Sequence, residues 1–232
     1  MTAPAGNDTV LRVRYPEPRP ENILEREKRS GYALIVGAVA GVVTMGLHPT
    51  GASLLAAGDG AAHLARVAVL AHGLALAGIP VSFAGAAGLS RRVGGGVAPL
   101  VVYATALVAG ACATVFSGLV GPDVGLRMME AEGARHEALS VAFLYTGLVG
   151  RAFTGVFVVA SSAAVVLWSA AILRRRTLPR GLGVAGAAIG AITLLAYLSG
   201  HVPLDVHGFG ILLAAQSAWL AAAGVALIRA RS

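Results

Sequence analysis

The chain has 232 residues, 56% of them hydrophobic and only 12% charged, with a formal net charge of +7 and a mean hydropathy of +0.76. A soluble domain carries about 25% charged residues, so this chain has about half the charge needed to coat a water-facing surface. That excludes a soluble globular domain and a disordered chain, and a single cysteine excludes a disulfide framework. What remains is an all-α polytopic membrane protein. At about 20 apolar residues per crossing, the length accommodates a bundle of six transmembrane helices with short loops.

Residues 1–30 form a polar tail. Prolines at positions 16, 18 and 20 predict an extended stretch from Tyr15 to Pro20. Asn22 is placed to cap a short helix running through Glu25 to Arg29. No cleavable leader pattern precedes the first apolar run, which starts near Gly31 and reads as an uncleaved signal anchor. The membrane domain then occupies 31–232. Its apolar segments predict spans at 31–47, 62–89, 96–120, 152–173, 182–199 and 208–228. The fourth apolar stretch begins at 139, but Arg151 interrupts it. The spanning part is therefore set at 152–173, with 138–150 outside or in the interface.

Charge is sorted between the connections. Arg91 and Arg92 follow the second span, Arg174, Arg175, Arg176 and Arg180 the fourth, and Arg229 and Arg231 the sixth, with no acid among them. The other connections mix Arg66, Arg127, Arg135 and Arg151 with Asp59, Asp123, Glu130, Glu132, Glu137 and Asp205. The positive-inside rule then predicts both termini in the cytoplasm. Arginine far outnumbers lysine, a bias of GC-rich bacterial genomes, so the expected location is a bacterial inner membrane. The lipid bilayer is the expected partner. Gly37/Gly41 and Gly186/Gly190 are G-x-x-x-G pairs, which suit packing within one bundle or a homo-oligomer seam. The tail mixes acids with bases and lacks interleaved aromatics, which argues against nucleic acid.

The same sorting places the metal-ligand types on the opposite, outer side. His48, His63, His136, His201 and His207 fall at that face, as do Met45, Met128 and Met129. His72 lies nine residues into the second predicted span, about 13 Å below the face. The densest cluster is His201-Val-Pro-Leu-Asp205-Val-His207. Imidazole with carboxylate suits zinc, copper, iron or nickel, and thioether shifts the preference toward copper(I). The expected metal set is His48, His63, His72, His201, Asp205 and His207, with Met45 and Cys112 as additional soft ligands. Cys112 falls at nearly the depth of His72.

Three functions follow as expectations. The first is a transition-metal or haem b site at the periplasmic face, for redox work or metal handling. His63 and His201 are placed to ligate a single outer haem, while His72 has no other histidine at its own depth. The second is a non-catalytic subunit packing with a membrane partner, its histidines serving as interface residues. The third is a metal-dependent hydrolase acting on a lipid-like substrate, with Arg127, Arg135 and Arg151 contacting an anionic headgroup. The chain has no G-x-x-x-x-G-K-[ST], H-E-x-x-H, C-x-x-C or G-x-S-x-G pattern.

Overall fold

The computed structural model describes residues 20–49, 51–201 and 206–230, and every regular element among them is helical. The helices are α1 (Pro20–Leu47), α2 (Gly51–Ala56), α3 (Ala61–Val93), α4 (Ala98–Thr114), α5 (Gly121–Met129), α6 (Gly133–Arg175), α7 (Arg180–Leu198) and α8 (Val206–Arg229). Six stretches are long and apolar enough to cross a membrane: Leu24–Leu47, Gly58–Val93, Ala98–Met129, Gly133–Arg175, Arg180–Leu198 and His207–Arg229. The protein is an all-α, multi-pass membrane bundle.

Three boundaries differ from the sequence reading. The short helix expected through Glu25 to Arg29 is continuous with the first span, so α1 starts at Pro20, inside the polar tail. Proline is well tolerated there, because the first helical N–H has no intrahelical partner. The rest of the extended stretch lies outside the described residues. The third span is composite: α4 passes through a π-helical segment, Val115–Val120, into α5. Pro99, which reads as internal in the sequence, sits in the first turn of α4.

The largest difference is α6. It is one unbroken helix of 43 residues rather than a span at 152–173 with a separate extension. No proline or helix stop falls between Gly133 and Arg175, and arginine is a good helix former, so Arg151 does not end it. At 1.5 Å per residue the helix is about 64 Å long, about twice the hydrocarbon thickness of a bilayer. Arg151 lies about 35 Å from Arg174, the distance between the two interfaces. Beyond Arg151 an exposed apolar stripe continues through Leu148, Tyr145, Leu144 and Val141.

The helices pack in two triplets. In one, α1 lies against both α3 and α8; in the other, α6 lies against both α4 and α7. Small residues set these contacts, as expected where lipid supplies no hydrophobic drive between helices. A Cβ on Gly85 of α3 would press on the Leu34 backbone of α1. Gly186 and Gly190 of the second G-x-x-x-G face Ser169, Trp219, Val166 and Ser162 within the same chain.

The arginine-bearing end of the bundle, where α1 begins and α8 ends, joins the triplets through a dense core. Trp168 is fully buried between Tyr103 and Trp219, with ring centroids at 5.2 and 6.4 Å. Its indole N–H donates to Ser90 Oγ at 2.8 Å. Trp219 donates to the Leu182 carbonyl at 2.9 Å, and the Gln216 amide donates to Ser162 Oγ at 2.9 Å. Both buried indole N–H groups thereby have an acceptor, which an apolar surrounding favours. Arg92 pairs with Glu27 at 3.1 Å across α3 and α1. The opposite, histidine-bearing end has only a small second core, where Leu54, Ala61 and Ala65 pack with Leu126.

Candidate functional site

Between the triplets, in the histidine-bearing half, lies a cavity of about 770 Å³. That is within the range of small-molecule sites. Its walls come from α1, α3, α4, α6 and α8, with Leu54 of α2, Ser117 of the π-helical segment and Gly121 and Pro122 of α5. Along α1 the lining runs from Gly37 to His48, and along α8 from His207 to Leu220. These stretches are about 16 and 20 Å long at the helical rise, close to the depth of one leaflet. The floor is Tyr103, Ser82 and Leu220, directly above the tryptophan pair. Phe157 of α6 meets Phe209 of α8 edge-to-face at 5.7 Å and bridges the two triplets across the cavity wall.

The polar feature of the wall is a pair of imidazoles. The rings of His48 and His72 touch edge-to-face, with centroids 4.5 Å apart. His72 is buried, and its Nδ1 lies 2.6 Å from the Ala68 carbonyl oxygen one turn earlier in α3. His48 Nδ1 lies 2.7 Å from the Pro49 carbonyl oxygen. A carbonyl only accepts, so both Nδ1 atoms carry the proton, and in the neutral form each ring keeps its Nε2 lone pair. Burial pushes the His48 imidazole below its usual 6.5, against a smaller opposing effect of its backbone hydrogen bonds. Just below the pair, Thr44 Oγ1 donates to the Ala40 carbonyl and lies 3.2 Å from the Ala71 carbonyl, tying α1 to α3.

The His72 ring rests on Gly118. A Cβ at that position would overlap the imidazole, so only glycine accommodates it. Gly118 lies in the π-helical segment, a distortion that recurs at functional sites because it re-aims the backbone. This corrects the expectation that His72 has no histidine at its depth. α3 extends eleven residues beyond His72 to Ala61, whereas α1 ends at Leu47. His48 therefore sits lower than the other end-of-helix histidines, level with His72.

The remaining sequence-derived residues divide clearly. His207 lies at the cavity rim, and Met45 lines the wall one turn before His48. His63 is exposed on the first turn of α3. His201 is exposed, with Nδ1 2.8 Å from Ser199 Oγ. His136 donates to the Met128 carbonyl at 2.9 Å and closes the turn between α5 and α6. Asp205 lies outside the described residues. Cys112 is a free, half-buried thiol and is not part of the cavity lining. Among the described residues, no three His, Cys, Asp or Glu side chains come together as a metal-binding group.

The three arginines also separate. Arg127 pairs with Asp123 at 2.9 Å, both exposed, and Arg135 is exposed on the first turn of α6. Arg151 alone of the three lines the cavity, between Gly147 and Thr154 along α6. Among the described residues it is the one permanently charged side chain in the lining, and no Asp or Glu accompanies it there. Thr44, Tyr103, Phe157 and Gln216 are the cavity residues that the sequence did not single out as a site. Hydroxyl, amide and aromatic groups in a span carry no signal of which void they face.

The fold and cavity together define a polytopic six-span protein with a membrane-embedded pocket. Comparison with protein-family models, curated proteins and solved structures finds no match to this chain.

Proposed function

We propose that this protein binds a lipophilic small molecule within the membrane, in the cavity between its two helix triplets. The observation that carries this reading is a cavity of about 770 Å³, mostly apolar, with His48, His72, Arg151 and His207 in its lining. Such a site takes a long apolar body below and a polar group at the rim. The two Nε2 atoms suit a ligand that donates hydrogen bonds there. Lipid extraction and mass spectrometry of the purified protein test it. A stoichiometric lipophilic molecule is expected with the wild-type chain and lost from the double variant Ala75→Leu/Ala113→Leu, which fills the cavity. Equal recovery from both overturns the reading.

The segregated arginines support a topology with both termini in the cytoplasm of a bacterial cell, and hence a cavity mouth on the periplasmic side. A reporter fused after Ser232 would then read cytoplasmic, and a periplasmic signal would invert this placement.

A second reading keeps the metal. Metal-bound histidine commonly donates its other ring N–H to a carbonyl, and both members of the pair do so. With the Met45 thioether on the same wall, this donor set favours copper(I). Competition for copper(I) against a chromophoric chelator tests it. The wild-type chain is expected to withdraw one equivalent, and His48→Ala/His72→Ala none. The touching rings leave no room for a haem plane between His48 and His72.

A further inference from the structure

We infer that the cavity takes a single-chain anionic amphiphile, its phosphate or carboxylate head held by Arg151 in the cavity wall and its chain directed toward the tryptophan pair. This rests on the ligand-binding reading above and names the class of ligand.

The electrostatics come first. Arg151 makes no ion pair or hydrogen bond with any described residue, whereas Arg127 and Arg92 each have a carboxylate. Among the described residues the lining supplies no acid to neutralise it. An arginine at the edge of a low-dielectric space, without an acidic neighbour, favours an anion and disfavours a cation. His48 and His207 in the same lining add polar edges and no negative charge.

Length comes second. Arg151 lies about 35 Å along α6 from Arg174, at the membrane boundary. From that level the lining runs about 16 to 20 Å along α1 and α8 to Tyr103 and Leu220, while Phe143, Thr146 and Gly147 continue it on the other side of Arg151. A chain matched to one leaflet, about 15 Å, fills this depth and ends above Trp168. The floor is closed by the stacked tryptophans and their hydrogen bonds, so the chain has an end stop rather than a channel through the bundle.

The tryptophans report on the test. Trp168 and Trp219 are the only two in the chain. Three probes are added to the protein in nanodiscs of zwitterionic lipid: tetradecyl phosphate and tetradecanol, each brominated at the chain end, and inorganic phosphate. Bromine at the cavity floor quenches the indoles. Saturable quenching by both amphiphiles is expected, about tenfold tighter for the phosphate, the size of one charge-assisted contact. Arg151→Gln should abolish the tenfold preference, Arg151→Lys should retain part of it, and Arg127→Gln should leave it intact.

Saturable quenching with no head preference, blocked by Ala75→Leu/Ala113→Leu, overturns the anionic head and leaves the cavity reading standing. A preference that survives Arg151→Gln overturns the role of Arg151. Displacement by inorganic phosphate at equal concentration makes the site one for a free anion and overturns the amphiphile. No saturable quenching by either amphiphile removes the cavity reading as well.

Discussion

The two ends of the bundle use the same residue types to opposite effect. At the arginine-bearing end, glycine and serine bring helices into contact and large aromatics fill what is left. Trp168 and Leu89 are fully buried, and each buried indole N–H has an acceptor. At the histidine-bearing end, small residues such as Ala75 and Ala113 line a cavity. The contrast teaches that small residues alone do not make a tight membrane core. They allow approach, and the bulky partner decides whether the approach closes.

Three comparisons probe that contrast, beginning with the largest expected effect. Trp168→Ala should cost about 3–5 kcal/mol, because it opens a void in the filled end and orphans Ser90. Phe157→Ala, beside an existing cavity, should cost about 1 kcal/mol, chiefly its aromatic pairing with Phe209. Thermal unfolding of the two variants in nanodiscs compares them directly, and equal losses would erase the distinction between the ends.

Next, Gly118→Ala should displace the His72 ring from the π-helical segment. A stability loss of about 1–3 kcal/mol is expected from overpacking, together with loss of the ligand recovered from the wild-type chain. Retained ligand in a folded Gly118→Ala protein would show that the seat of His72 is not needed for binding.

The smallest effect is on pH. His48 is held below its usual 6.5 in the folded chain, so the unfolded chain binds the extra proton more readily. The stability from neutral His48 is complete above 6.5 and is lost as the pH falls below it. The melting temperature should decline from pH 7 toward pH 5. His48→Gln should flatten part of that decline. An unchanged slope would remove His48 from the account.

The spans were legible because hydropathy is local: twenty apolar residues declare themselves without reference to any neighbour. The extent of α6 was less so, because one arginine reads as a boundary when its surroundings are unknown. The pairing of His48 with His72 was not legible at all. It depends on α1 ending lower than α3, an offset between two helices that neither helix encodes alone. Arg151 was picked out with Arg127 and Arg135 as three equivalents. Only the placement of Asp123 and the cavity distinguishes them. The void is the extreme case, since it consists of what the surrounding side chains fail to reach.

The length of α6 has one more consequence. Its exposed apolar stripe does not stop at Arg151 but continues through Leu148, Tyr145, Leu144 and Val141. A helix with a fixed apolar collar is matched to one membrane thickness and must tilt or deform the lipid in any other. Here the collar is graduated. A thicker bilayer meets more apolar helix above the arginine, and the long arginine side chain can reach past its own backbone to water. A bilayer that extends past Arg151 therefore still meets apolar side chains along this stripe of α6.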